Sequence, residues 1–179
     1  METQQLIQAE DGGSNPTSPH QFHIKEIPKE IAISLNKQYH RVLPEIKNVT
    51  LHGNEAYYGF FFKGSCYAVA LWSSPIARAL PYRTHAELRR FAINDSSPKN
   101  TASWGLARMA HLIKKKYPSL KLLVSYQAVK IHEGTIYRAA GWNEGVHTKP
   151  SSWVRKGKGR QQNDYRQIVS GTIRWEREL

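Results

Sequence analysis

The chain has 179 residues, 40% of them hydrophobic, enough for one domain with a real core and too apolar for a disordered chain. No apolar run reaches the length of a membrane span, and Met1 to Glu10 lacks the basic start and apolar stretch of a secretory signal. The single cysteine, Cys66, excludes an internal disulfide and gives no zinc-site spacing, so a cytoplasmic protein away from membranes is expected.

Residues 1–20 are rich in Gln, Gly, Ser and Pro and are expected as a flexible lead-in, with residues 21–179 forming one domain. Phe22 to Ile24 suits a short strand. Pro28 suits a helix start, and Ile31, Leu35, Tyr39 and Val42 follow at helical spacing, with a stop before Pro44. Tyr57–Phe62 and Cys66–Trp72 flank Lys63-Gly64-Ser65 and predict a β-hairpin of two central strands. Ser73 to Arg83, with two prolines, reads as loop, and Ala86–Ile93 as strand. A helix is predicted over about 101–117, its buried stripe made by Ala102, Leu106, Met109, Ala110 and Ile113. Lys114, Lys115 and Lys116 suit its negative end, and Pro118 stops it. Strand Lys121–Tyr126, a short helix over 133–140 ended by Gly141, a strand or turn from Trp142 and a last strand over 167–176 with a bend at Gly171 complete the order. An early hairpin followed by strand–helix alternation implies a mixed sheet with helices on both faces.

The most telling stretch is Ser97-Pro98-Lys99-Asn100-Thr101-Ala102-Ser103, a polar loop between a strand and an amphipathic helix. A helix start presents unpaired N–H groups and the positive end of a dipole, a seat for an anion such as a pyrophosphate. Lys99 adds a full charge there. Lys99, Asn100, Thr101, Ala102 and Ser103 are thus the candidate donor-binding residues, although an ordinary capped connection would read the same way.

The chain carries 26 Lys and Arg against 14 Asp and Glu, a net charge of +12, which favours a polyanionic partner. Between Lys149 and Arg166 the basic residues Arg155, Lys156, Lys158 and Arg160 lie with Trp153 and Tyr165. That mixture suits holding phosphates and stacking bases, so these four are the candidate nucleic-acid contacts. A solvated charge run is the competing reading.

The order strand, polar loop, helix, strand, short helix, with Tyr137 to Trp142 after the strand, resembles the Gcn5-related N-acetyltransferase (GNAT) fold. Several pieces together resemble the Mom family of phage DNA-modification proteins, a divergent branch of that fold. They are Leu88–Phe91, Pro98–Ser103, Lys114–Lys116, Val124–Tyr126, His132–Tyr137 and Ala140–Trp142. The likeness covers about residues 35–148. Where such proteins carry a His-Tyr pair, this chain reads Tyr39-His40. Where they carry an Asp soon after the Ser-Tyr, it reads Ser125-Tyr126-Gln127-Ala128-Val129. The resemblance implies a single acyltransferase-like domain. It also implies an enzyme that converts adenine in double-stranded DNA to N6-carbamoylmethyladenine and so shields the DNA from restriction nucleases. The fold suggests acetyl-CoA as the small-molecule donor, yet simple acetyl transfer does not give a carbamoylmethyl group, so the donor stays open. A plain N-acetyltransferase and a non-catalytic DNA-binding protein are the alternatives.

Chemistry of this kind needs an acid for the leaving group, and Tyr137 is the best candidate; a core aromatic is its bland reading. Ser125 and Tyr126 end a strand beside the same cleft and alternate in direction, so only one points into it. His40 and His132 are candidate bases or metal ligands, since neutral imidazole serves both roles near pH 7. Two histidines so far apart do not define a metal site. Tyr137, Ser125 and His40 are expected to line one cleft. Glu87 and Glu133 are further candidates. Arg89 and Arg90 interrupt an apolar strand, and one of them must find a partner on a partly buried face, either a substrate phosphate or Glu87 or Asp95.

Overall fold

A computed structural model of the chain describes residues 14–40, 53–129, 133–149 and 171–179. A turn of 3-10 helix, Pro19–Gln21, precedes the first strand, β1, His23–Glu26. Helix α1 spans Lys29–Tyr39, with Pro28 as its N-cap. Strands β2, Ala56–Phe62, and β3, Ser65–Ser73, form the expected hairpin. Lys63 and Gly64 at its tip both have positive φ, 46° and 82°, as a primed turn requires. Then come β4, His85–Ile93, helix α2, Thr101–Lys116, and β5, Leu122–Ala128. The short helix α3, Thr135–Ala139, is followed by β6, Asn143–Thr148, and β7, Thr172–Glu178.

The strands make one seven-stranded sheet in the order β1-β2-β3-β4-β5-β7-β6. Neighbours are antiparallel except β4 and β5, which are parallel because α2 carries the chain back across the sheet between them. Helix α1 covers one face, packing Ile31, Ala32 and Leu35 onto Tyr57, Phe61, Cys66, Val69, Leu71 and Ala92. The opposite face is covered by α2 and α3, with Leu106, Met109, Ile113 and Tyr137 against Phe60, Ala70, Trp72 and Leu123. Both layers are therefore filled, as the mixed-sheet expectation requires. Each of the large side chains buried here contributes about 1.5–3 kcal/mol. Gly105 lets α2 sit close: a Cβ there would stand 2.7 Å from the Phe60 ring and 2.9 Å from that of Phe91.

Two details position the candidate site. First, β4 pairs with β5 only over His85–Leu88 against Leu122–Ser125. Beyond that, residues 89–93 pair only with β3 and residues 126–128 only with β7, so the two strands part into a wedge. The cause lies in β4. Trp72 faces Leu88 but Leu71 faces Arg90, so Arg89 is an extra residue, a β-bulge that bends its strand away from β5. Second, part of the expected N-terminal lead-in is built into the fold. Ser18 and Gln21 form a capping box, Tyr67 donates to Asn15 Oδ1 at 3.2 Å, and His20 and Phe22 pack their rings on Trp104 of α2.

No helix among the described residues is long and apolar enough to cross a membrane. His132 and the basic residues Arg155, Lys156, Lys158 and Arg160 lie outside the described residues, as do residues 167–170 of the expected last strand.

Candidate active site

The wedge closes at Leu88 and Ser125, and there the structure joins two of the residues singled out from the sequence. Ser125 Oγ and Tyr137 Oη are 2.8 Å apart, both buried. Their meeting is set by α3. Tyr137 stacks on Trp175 with ring centroids 5.3 Å apart and meets Trp142 edge-on at 5.7 Å. Trp175 is fixed in turn by its indole N–H, which donates to Gln127 Oε1 at 2.7 Å. Gly134 opens α3 at φ 72°, the left-handed region, with its α-carbon against Trp175 and Gln127. A side chain there would collide with both and push Tyr137 from its place. Burial raises the phenol pKa of Tyr137, only partly offset by the Ser125 hydrogen bond, so it holds its proton at neutral pH.

The candidate donor-binding loop lies past the C-terminal end of β4. Asn100 is the N-cap of α2, in the left-handed conformation at φ 66°, and it makes no side-chain cap. Thr101 is buried, and its hydroxyl donates back to Pro98 O at 2.7 Å. Ser103 Oγ donates to Asn100 O at 3.2 Å. The side chains therefore turn away from the helix start. The first-turn N–H groups of a helix, here those of Ala102 and Ser103, have no partner one turn earlier within the helix, and they lie beside the exposed Lys99. Of the five residues expected to bind the donor, Thr101 is buried, Lys99 and Asn100 are exposed, and Ser103 and Ala102 are half-buried, so Ala102 does not join the buried stripe of α2 as expected, where Thr101 and Gly105 stand instead. Asn100 supplies the turn.

Tyr126 points to the opposite, α1 face of the sheet, as strand alternation requires once Ser125 faces α3. Its neighbours there form a polar group the sequence reading did not assemble: His85 and Glu87 from β4, Arg89 at the bulge, Arg174 and Glu176 from β7. Arg89 Nε lies 3.2 Å from Glu87 Oε1, and Arg174 lies 2.5 Å from Glu176. The pairing of one arginine with Glu87 is thereby realised, by Arg89. Glu87 is the one buried acid among the described residues. Burial raises its pKa against the opposing pull of the Ile76 N–H, Arg89 and Arg90. Burial also raises the Tyr126 phenol, with Glu87 adding and Arg174 opposing, and lowers His85.

His40 does not join Tyr137 and Ser125. It caps α1 on the far face of the sheet, next to Tyr39, whose hydroxyl donates to Cys66 O at 2.7 Å. A polar hollow of about 180 Å³ lies there, lined by Gln38, Tyr39, Ile93, Asn94 and Asp95. Among the described residues no group of three His, Cys, Asp or Glu is placed to hold a metal ion. Cys66 is buried, and burial pushes its thiol up to about 11, which keeps it protonated at neutral pH. Glu133 accepts at its backbone oxygen from Arg138, a local contact of the α3 entry.

The mixed seven-stranded sheet with its split parallel pair has the fold of the GNAT acetyltransferases. The chain superposes on the IAA acetyltransferase of Bacillus cereus (TM-score 0.60, 18% identity, 88% of this chain and 99% of that one). It also superposes on an acetyltransferase of Bacillus subtilis in complex with CoA (0.56, 10%, 88% and 99%). A third likeness is to a phosphinothricin acetyltransferase of Sinorhizobium meliloti in complex with acetyl-CoA (0.58, 14%, 89% and 89%). Within that fold the chain belongs to the Mom protein family, whose model matches residues 21–176. No curated protein matches it.

Proposed function

We propose that the protein modifies the exocyclic amine of adenine in double-stranded DNA, producing N6-carbamoylmethyladenine and so protecting the DNA from restriction. The observation that carries this reading is membership of the Mom family together with a wedge that has a buried, protonated phenol at its apex and a helix start at its mouth.

The wedge fits an acyl-coenzyme donor such as acetyl-CoA. The N–H groups of Ala102 and Ser103 with Lys99 would hold its phosphates, and the gap between residues 89–93 and 126–128 would take its arm. Such a coenzyme would supply an acyl carbon activated by its thioester; acyl transfer alone gives N6-acetyladenine, so the amide nitrogen of a carbamoylmethyl group would have to come from a second, nitrogen-bearing donor. Tyr137 keeps its proton on Oη, where Ser125 orients it, and offers it to an anion leaving at the apex. On the other face, Tyr126, Glu87 and the two arginine pairs form the polar wall that the acceptor meets. His40 stays a candidate base away from the apex, and His132 a candidate outside the described residues.

The +12 charge supports a DNA partner, and Arg155, Lys156, Lys158 and Arg160 are the proposed phosphate contacts. The amine of adenine is shielded in a stacked duplex, so the base must leave the stack to react. Calorimetry with acetyl-CoA and with a mixed-sequence duplex on the same protein tests this. Both ligands are expected to bind, and DNA affinity should fall steeply with salt. Neutralising the four arm residues should flatten the salt slope by roughly three to four units. Coenzyme affinity without DNA binding would point to a plain N-acetyltransferase, and DNA binding without coenzyme affinity to a non-catalytic DNA-binding protein.

A further inference from the structure

The loop between β3 and β4 carries the two most exposed large apolar side chains among the described residues, Ile76 at 63% and Tyr82 at 56%. Their exposure is not that of a loose segment. Leu80 N–H donates to Ala77 O at 2.9 Å, and the N–H groups of Thr84 and His85 both reach Pro81 O. Asn54 holds Tyr82 O at 2.7 Å, and Ser74 Oγ holds Gly53 O at 3.3 Å. Ile76 is anchored by its own N–H, which donates to Glu87 Oε2 at 3.0 Å. The two side chains are held out in water on a fixed frame, at a cost in hydrophobic free energy that a partner would recover.

The frame is cationic. Arg78 is exposed, Arg83 lies over the Tyr82 ring at 5.6 Å, and residues 74–84 contain no acid. It is also placed against the reacting centre. Glu87 stands one residue before Leu88, where the wedge closes, and its side chain faces the α1 side of the sheet, opposite Tyr137 and α2. A donor held at the start of α2 and a partner held on this loop therefore meet at the apex from the two faces.

We infer that this loop opens the duplex, Ile76 and Tyr82 filling the gap left by an extruded adenine and Arg78 and Arg83 holding the flanking phosphates. The inference rests on the DNA-modifying reading above. Unstacking a base needs an apolar or aromatic group to replace the lost stacking, and cations to hold the distorted backbone. Loop 74–84 supplies both within eight residues, Ile76 to Arg83.

The test uses duplexes with a central 2-aminopurine, whose fluorescence rises when it leaves the stack, flanked by every combination of neighbouring bases. The unaltered protein should give a several-fold rise on binding. Ile76→Ser combined with Tyr82→Ser should abolish the rise while anisotropy shows the duplex still bound and the melting temperature unchanged. On the same oligonucleotide as a single strand, where no duplex has to be opened, the variant and the parent should bind alike. A rise that survives in the double variant, or binding by the parent with no rise, would overturn the inference and leave the modifying reading standing. Failure of the parent to bind any duplex would remove that reading itself.

Discussion

Tyr137→Phe should lower DNA modification on the order of a hundredfold, the scale of losing a general acid. The change removes one oxygen. The ring keeps its stack on Trp175 at 5.3 Å and its edge contact with Trp142, so the α3 packing survives. What disappears is the proton on Oη and the 2.8 Å bond to Ser125. Loss of one buried hydrogen bond costs about 1 kcal/mol, a small shift in melting temperature. The measurement is the fraction of modified deoxyadenosine in DNA from cells carrying each form. Full modification by the phenylalanine variant would make Tyr137 a core aromatic and nothing more.

The second large effect concerns the helix start. Replacing Ala102 and Ser103 with aspartate puts two carboxylates where the donor phosphates are expected. Acids in the first turn of a helix favour folding, by about 0.3–1 kcal/mol each. Stability should hold or rise while coenzyme affinity falls at least about a hundredfold, since two anions would face one another across a short gap. Thr101 is unsuitable for this test, because it is buried and bonded to Pro98 O, and changing it would disturb the loop itself. Coenzyme affinity unchanged in calorimetry would show that the seat holds no phosphate.

Much of the architecture is legible in local chemistry. Lys63-Gly64-Ser65 announces the hairpin turn, and the stripe through Leu106, Met109 and Ile113 announces α2. Gly141, at φ 73°, ends α3 as a C-terminal glycine should. The capping box of Ser18 and Gln21, with Pro19 between them, is equally local, yet it sits in a stretch whose composition reads as flexible. The bulge at Arg89 is not legible. Two adjacent arginines look like broken alternation, and nothing in the strand itself says that one is an extra residue.

The site divides the same way. Ser125 and Tyr137 are suggested by type and position, and pairing across α3 brings them to 2.8 Å. Their supports, Gln127 and Trp175, lie 48 residues apart and meet only through the β5–β7 pairing. Arg174 and Glu176 escape notice for the same reason: on an isolated last strand they read as surface charges. His40 fails to reach Tyr137 because α1 packs on the other face, which no local pattern around Tyr39-His40 reveals.

Nucleoside mass spectrometry of DNA from cells expressing the protein reads the modified base itself. Deoxyadenosine heavier by one carbamoylmethyl group is expected, absent from cells without the protein and nearly absent with Tyr137→Phe. Unmodified deoxyadenosine, from cells in which the folded protein is abundant and binds coenzyme, would contradict the proposed function.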